Sequence, residues 1–306
     1  RPMNFRIYKS MLAVAVSGML AAPLAQATNG YFMHGYSTKN KGLAGAGVAT
    51  FLTRSMMAVS LIAYVNLAPR FKQFDPSLRF RTLDWFLMKR IVRLGLASGF
   101  QYTFEVSAFA GAAVIIGWMG ANELAAHQIA LNLAALTYMF TIGVSTAGSV
   151  RVGEAVGANR IDEARKAGFS AVILAAAIMG SFAVIFILTR HLLPWLYIDD
   201  PDVHRLAAGL LLIAAMFQVS DGIQGVGLGI LRGMADTRIP TGITLIAYWI
   251  VGLPAGYLMG FSGGMGANGV WFGLLIALTT SGALLLFRFH WLTQPGRSGI
   301  HRQNIG

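Results

Sequence analysis

The sequence predicts an all-α, polytopic membrane protein, a helix bundle with about seven transmembrane helices. Of its 306 residues, 56% are hydrophobic and 12% are charged, about half the charged share of an ordinary soluble domain. The 36 glycines lie within and between long apolar runs, as is typical of membrane helices that pack closely. Because the chain has no cysteine, disulfide frameworks, thiolate nucleophiles and cysteine metal sites are excluded.

Seven apolar stretches reach or approach the length of about 20 residues that a helix needs to cross the hydrocarbon core. The first carries Arg54 near one end, where a long side chain can reach the membrane interface. The predicted spans are Phe51–Ala68, Leu94–Met119, Ala126–Gly148, Ala167–Thr189, Leu206–Leu231, Gly242–Phe261 and Gly266–Phe289.

Lysine and arginine are concentrated on alternate connections between the spans. By the positive-inside rule these connections are cytoplasmic, which predicts a multi-pass protein of the bacterial inner membrane with a cytoplasmic C-terminus. The net charge of +12 is therefore explained by topology, and we expect the lipid bilayer, not nucleic acid, as the partner of this charge. The basic clusters are Arg70–Arg93, Arg151–Lys166, Arg232 with Arg238, and Arg288–Arg302.

Two connections carry local signals of their own. Asp200, Pro201 and Asp202 are typical of an N-cap followed by proline in the first helical turn, and we favour this over a calcium loop because the ligand spacing does not fit one. Arg151–Lys166 mixes charge with apolar residues at near-helical spacing. This pattern predicts an amphipathic helix on the inner membrane surface.

Two acidic residues, Glu105 and Asp221, lie deep inside predicted spans, where charge is costly and usually functional. Glu105 is 11 residues from Leu94 and Asp221 is 11 residues from Arg232, each counted from the cytoplasmic end of its span. Both carboxyl groups are therefore about 16 Å deep. We predict that they face each other and share one cation or proton. The alternative is a pair of protonated, hydrogen-bonded carboxyl groups that serves packing alone.

Small and polar residues accompany each carboxyl group at helical spacing, and such a stripe faces a bundle interior or a water-filled cavity. The glycines at every fourth position predict close helix packing and not a phosphate loop. The stripes consist of Gln101, Ala108 and Ala112 around Glu105, and of Gln218, Gly225 and Gly229, continued by Gly233, around Asp221.

Two further motifs are interpreted as structural. Glu123 and His127 stand one turn apart like metal ligands, but no third ligand has a suitable spacing. Gly260–Gly264 fits the G-x-S-x-G pattern, and its first four residues fit the serine motif of rhomboid-type proteases, yet His290 lies at the far end of the following span. We therefore predict no enzyme activity, no catalytic residue, no cofactor and no metal besides Na⁺ at the carboxyl pair.

Several motifs occur in order along the spans. They are Gly99–Phe109, Ala125–Asn132, Val150–Gly157, Asp221–Gln224, Leu231–Gly233 and Gly269–Trp271. With these motifs, the chain from about Phe51 to Leu292 resembles the C-terminal half of a multidrug and toxic compound extrusion (MATE) transporter.

The resemblance implies a secondary antiporter, in which inward movement of Na⁺ or H⁺ drives the export of cationic, amphipathic drugs and toxins. It implies that Glu105 and Asp221 form the cation site and that Phe217 lines it, at a position where some members carry tyrosine. It further implies that Gln101, Asn132 and Gln218 line the cavity for small cationic organic substrates.

The family has two six-helix lobes, and here the resemblance covers the second lobe and the last helix of the first. Because alternating access requires one lobe to move against another, we expect transport to need the missing N-terminal lobe or a second copy of the chain. The alternative is a transport-incompetent membrane fragment or an interaction protein.

The first fifty residues follow a different pattern. A basic start, the apolar run Met11–Leu24 and Ala25–Ala27 have the order of a secretory signal peptide, so we predict that residues 1–27 are signal-peptide-like. The sequence to residue 48, and Thr28–Val48 in particular, resembles the N-terminus of the long-chain fatty-acid outer-membrane transporter family. We predict a foreign or linker segment over 28–50, the transporter lobe over 51–292 and a cytoplasmic tail over 293–306.

Overall fold

The computed structural model describes residues 51, 52, 55, 56 and 59, which are helical, and residues 85–294. The predicted segments 1–27 and 28–50, most of the first predicted span and most of the predicted tail lie outside the described residues. By contacts the chain divides into a unit of residues 17–90 and a second unit that contains Ile91–Gly306. The helix bundle belongs to the second unit.

Within the described residues, six helices are long and apolar enough to cross a membrane. Each contains most of the corresponding predicted span, so the all-α membrane bundle is confirmed. A short 3₁₀ helix, Leu193–Leu196, lies between the third and the fourth. The six are α1 (Trp85–Gly117), α2 (Ala121–Gly157), α3 (Ile161–Thr189), α4 (Pro201–Gly233), α5 (Arg238–Ser262) and α6 (Ala267–Leu292).

The start of α4 confirms the predicted cap. The Asp200 carboxylate accepts hydrogen bonds from the backbone N–H groups of Asp202 and Val203, at 2.9 and 3.2 Å. Pro201 occupies the first turn, where its missing N–H costs nothing. This cap therefore fixes the point at which the chain enters the helix that carries Asp221.

The prediction of an amphipathic surface helix over Arg151–Lys166 is wrong. Helix α2 continues to Gly157 and α3 begins at Ile161, with a tight turn between them. Asn159 makes this turn with a φ of 56°, a conformation that asparagine adopts more readily than most residues. The apolar residues of the segment, including fully buried Val152 and Ala164, face the bundle because they belong to the ends of two spanning helices.

Helix α4 is central and packs against α2, α3 and α6. The predicted role of its glycines in close packing is confirmed along α2. A Cβ atom on Gly229 would lie 2.1 Å from Ser145 Oγ, and one on Gly233 would lie 2.4 Å from the backbone oxygen of Ser149. Ser145 Oγ also donates to the backbone oxygen of Gly225 at 2.7 Å. Glycine thus lets α2 and α4 approach closely enough for the Ser145 side chain to donate to the backbone of α4.

The basic helix ends meet at one end of the bundle. Arg165 of α3 lies 3.0 Å from His290 Nδ1 of α6, and Arg288 of α6 pairs with Asp236 before α5 at 2.9 Å. The positively charged connections therefore share one end, as the alternation of charge along the sequence predicts. Which side of the membrane this end faces stays a prediction.

Candidate cation site

Glu105 of α1 and Asp221 of α4 both lie inside the bundle, and each is only 8% exposed. They are close enough for the charge of Glu105 to act on Asp221. Two carboxyl groups from different helices thus occupy one buried region. Both residues that the sequence pairs by depth are therefore buried in the bundle, and their sharing of one cation stays a prediction.

Two glutamine side chains reach Glu105. Gln101, one turn earlier on α1, and Gln224 of α4 both lie near its carboxyl group, and Nε2 of Gln224 has no hydrogen-bond partner among the described residues. Gln101 is 5% exposed and Gln224 is fully buried. The Oε1 atom of Gln224 accepts a hydrogen bond of 2.9 Å from the hydroxyl of Tyr248, which is also fully buried.

Helix α2 adds two hydroxyl groups beside Asp221. A Cβ atom on Gly225 would lie 3.0 Å from Tyr138 Oη and 2.8 Å from Thr141 Cγ2, so both side chains rest on the turn that follows Asp221. Tyr138 interacts electrostatically with Glu105 and with Asp221. Thr141 Oγ1 is buried and has no hydrogen-bond partner among the described residues.

We call Glu105, Asp221, Gln101, Gln224, Tyr138, Thr141 and Tyr248 the carboxylate cluster. Two anions in a medium of low dielectric constant repel strongly, so a proton or a bound cation between them is favourable. Carboxylate, amide and hydroxyl oxygens are ligands that hard cations prefer. Within the described residues no group of three or more His, Cys, Asp and Glu side chains could hold a metal ion.

The other predicted cavity residues make contacts of their own. Phe217 is 2% exposed, and its ring stacks on that of Trp271 with centroids 5.2 Å apart. Gln218 is buried and donates to Thr137 Oγ1 at 2.8 Å. Exposed Asn132 accepts a hydrogen bond of 3.1 Å from Tyr197. Their roles in lining a cavity stay predictions.

Sequence reasoning did not identify Gln224, Tyr138, Thr141 or Tyr248 as site residues. Gln224 could have been found, because it follows Asp221 by one helical turn on the same polar face. Tyr138 and Thr141 lie opposite Gly225 on a helix with no buried charge near them in sequence. Their assignment required the packing of α2 on α4.

The two motifs that are interpreted as structural contain His127 and Ser262. His127 is fully buried and its Nδ1 accepts a hydrogen bond of 3.1 Å from the indole N–H of Trp271. Ser262 is exposed at the end of α5, whereas His290 lies near the end of α6 and contacts Arg165. Ser262 and His290 thus have the separation expected from the helix between them.

The fold and the buried charges define a multi-pass membrane protein of the transporter class. Residues 97–258 match the model of the MatE family, which is more than half of the chain. The chain belongs to the MatE family, whose members are transporters and not enzymes.

Curated relatives agree with this assignment. The chain is 33% identical over 290 residues to the multidrug resistance protein MdtK of Edwardsiella ictaluri (strain 93-146), covering 93% of this chain and 64% of the relative. It is 39% identical over 267 residues to the multidrug resistance protein NorM of Burkholderia vietnamiensis, covering 85% of this chain and 57% of the relative. The chain therefore spans about three fifths of the length of these relatives.

Solved structures have the same fold. The eukaryotic MATE transporter AtDTX14 superposes with a TM-score of 0.78 at 18% identity, covering 97% of this chain and 65% of that one. A MATE protein in complex with MaL6 superposes with a TM-score of 0.77 at 19% identity, covering 93% and 63%. None of these proteins is named as a fatty-acid transporter, so the resemblance predicted for residues 1–48 has no support from them.

Proposed function

We propose that this chain is part of an antiporter that exports cationic, amphipathic compounds in exchange for Na⁺ or H⁺. The observation that carries the proposal is the buried pair of Glu105 and Asp221 on two different helices. The substrate class rests on the relatives, which are named multidrug resistance proteins. We place the protein in a bacterial inner membrane with its C-terminus in the cytoplasm, on the charge pattern of its connections.

The carboxylate pair can couple ion binding to helix position. Without a cation or proton, two like charges in a medium of low dielectric constant favour an arrangement in which α1 and α4 are further apart. A proton or Na⁺ removes this repulsion and favours the closer arrangement. A ligand shifts a conformational equilibrium only by its difference in affinity for the two states, and the shared cation has such a difference.

Hydrogen bonds from α5 connect helix α1 to the bundle. Two side chains of α5 hold it by hydrogen bonds to backbone oxygens. Thr241 Oγ1 donates to Ala97 at 2.9 Å, and Trp249 Nε1 donates to Phe104, the residue before Glu105, at 3.1 Å. A movement of α1 relative to α4 would therefore be transmitted to α5.

An exported compound that binds one arrangement better than the other completes the cycle. By linkage, the cation then lowers the affinity for the compound by the same factor by which the compound lowers the affinity for the cation. The same two carboxylates explain why the compound is positively charged, because it would compete with the cation for them.

Dye transport in vesicles tests this function. Purified chain is reconstituted into vesicles with a Na⁺ or a pH gradient and a fluorescent cationic dye, and dye movement is recorded. Gradient-dependent movement that Asp221→Asn abolishes would support antiport. The matched control is Asp199→Asn, which removes an exposed carboxylate outside the helices and should leave movement unchanged. No gradient-dependent movement would favour the alternative of a transport-incompetent fragment.

A further inference from the structure

Thr141 of α2 has a buried hydroxyl group that its neighbours leave without a partner. The side chain is 1% exposed, and Oγ1 makes no hydrogen bond to any described residue. Other buried threonines of the bundle donate to a backbone oxygen of their own helix, Thr137 to that of Ala134 at 2.8 Å and Thr244 to that of Pro240 at 3.0 Å. A buried hydroxyl without a partner costs free energy, which a bound ligand would recover.

The packing of α4 on α2 places Asp221 at the level of Thr141. Gln218, one turn before Asp221, donates from Nε2 to Thr137 Oγ1 at 2.8 Å. One turn after Asp221, a Cβ atom on Gly225 would lie 2.8 Å from Thr141 Cγ2. Residues three and four positions apart lie on the same face of a helix. Asp221 is therefore between two points at which α4 contacts α2.

The next residue along α4 shows which way Asp221 is turned. A Cβ atom on Gly222 would lie 2.7 Å from Met179 Cγ, so Gly222 faces α3. Each residue is rotated by about 100° from the one before it. This rotation turns Asp221 away from α3, toward the side where Gln224 accepts a hydrogen bond from α5. The Asp221 carboxyl group thus lies on the side of α4 between α2 and α5, and Thr141 lines the α2 edge of this region.

We infer that the Thr141 hydroxyl is a ligand for Na⁺ at the carboxylate pair and that it makes this site selective for Na⁺ over a proton. The inference rests on the proposed function of Glu105 and Asp221. A Na⁺ ion that leaves water exchanges its hydration shell for oxygen atoms of the protein, and a hydroxyl oxygen offers two lone pairs. A proton forms one bond to a carboxylate oxygen and needs no further ligand from α2.

The unpartnered state of the Thr141 hydroxyl agrees with this role. A hydroxyl that donated to Asp221 would stabilise the carboxylate whether or not an ion is bound. A hydroxyl with no partner among the described residues gains its interaction only when an ion binds. Its contribution therefore appears in the affinity for Na⁺ and not in the stability of the Na⁺-free protein.

Binding of radioactive Na⁺ to the full chain in lipid nanodiscs tests this inference. Thr141→Val replaces the hydroxyl with a methyl group, and we expect it to weaken Na⁺ binding about tenfold, as the loss of one interaction with a charged group does. Thr141→Ser keeps the hydroxyl and should bind Na⁺ like the wild type. Proton uptake, recorded with a pH-indicator dye on the same preparations, should be equal in all three.

Thr146→Val is the matched control on the same helix. Thr146 is exposed, and its hydroxyl already donates to the backbone oxygen of Ile142 at 2.8 Å, so this variant should bind Na⁺ and protons like the wild type.

Detergent unfolding with and without Na⁺ separates a ligand from a structural residue. Because an ion that binds only the folded state stabilises it, Na⁺ should raise the unfolding midpoint of the wild type more than that of Thr141→Val. Without Na⁺, Thr141→Val should be at least as stable as the wild type, since it removes an unpaired buried hydroxyl.

Three results would overturn the role of Thr141. They are wild-type Na⁺ affinity in Thr141→Val, equal losses of Na⁺ and proton uptake in this variant, and a loss of its stability in the absence of Na⁺. A wild type that takes up protons but no Na⁺ would also overturn the inference, while proton-driven antiport would stand. Failure of the proposed function would appear instead as dye movement that is absent or that survives Asp221→Asn.

Discussion

Two buried polar regions of the bundle can be compared. In the first, the carboxylate cluster, the side chains carry two like charges and come from α1, α2, α4 and α5. In the second, which we call the aromatic cluster, His127 of α2, Trp271 of α6 and Phe217 of α4 stack and share one hydrogen bond of 3.1 Å. A buried neutral hydrogen bond contributes packing and orientation, whereas two buried like charges cost energy that packing alone does not explain.

The comparison teaches that burial of a polar residue does not identify a functional site. His127 is fully buried and Glu105 is 8% exposed, so exposure ranks them in the wrong order. The kind of charge distinguishes them, since only the carboxylate cluster requires a proton or a cation to be neutral. We therefore expect mutations in the two clusters to have opposite patterns of effect on cation binding and stability.

The largest expected effect is the loss of cation binding in the carboxylate cluster. Asp221→Asn should abolish the binding of Na⁺ or H⁺, because one carboxylate cannot replace a pair. It should not lower the free energy of unfolding, since it removes a like-charge repulsion from the interior. Cation binding and detergent unfolding of the same preparation measure both quantities. A variant that binds normally but unfolds more easily would mean that Asp221 serves packing.

A large effect on stability is expected where α2 and α4 touch, because these helices contribute to both clusters. Gly229→Val would place side-chain atoms against Ser145, at positions only 2.1 Å from its Oγ and 2.7 Å from its backbone oxygen. Overpacking of this kind costs about 3 kcal/mol. The control is Gly180→Ala on α3, where a Cβ atom meets nothing within 4 Å.

Unfolding in mixed detergent micelles measures the difference between these two glycine variants. If Gly229→Val were as stable as the wild type, the close packing of α2 on α4 would not be required for the fold.

A smaller effect is expected in the aromatic cluster. Trp271→Phe keeps the ring stack on Phe217 but removes the N–H that His127 accepts, leaving a buried acceptor unpaired at a cost of about 1.5 kcal/mol. The affinity for Na⁺ or H⁺ should remain that of the wild type. A loss of cation binding in Trp271→Phe, with an intact fold, would break the distinction between the two clusters.

The smallest expected effect lies at the N-terminal end of α4. Asp200→Ala removes the side chain that accepts from the N–H groups of Asp202 and Val203, and the loss of an N-cap costs about 1 kcal/mol. The neighbouring Asp199→Ala should cost less, because Asp199 is exposed and does not cap the helix. Unfolding midpoints that are equal in the two variants would exclude the capping role of Asp200.

Much of this architecture follows from sequence because membrane burial imposes simple rules. Long apolar runs locate the helices, and Asp200 with Pro201 marks the start of α4. The equal depth of Glu105 and Asp221 follows from the fixed rise per residue of an α-helix. These inferences depend on one helix at a time, or on the shared frame of the membrane.

The features that sequence reasoning missed depend on contacts between helices. The π-helical segment that contains Tyr248 cannot be recognised from the spacing of apolar residues, because that spacing assumes a regular α-helix. The segment Arg151–Lys166 predicts one surface helix from its periodicity, because the ends of two packed helices have the same periodicity as one amphipathic helix. Tyr138 enters the carboxylate cluster only because Gly225 leaves room for its ring.

The measurement that tests the central claim most directly is equilibrium uptake of radioactive Na⁺, and of protons with a pH-indicator dye, by the chain in nanodiscs. It compares the wild type with Glu105→Gln, Asp221→Asn and the double variant. The account predicts that the wild type takes up Na⁺ or protons at this pair and that either single substitution removes this uptake as completely as both together. Uptake that survives in one single variant and disappears only in the double variant would mean that the two acids bind independently, which would contradict a shared cation.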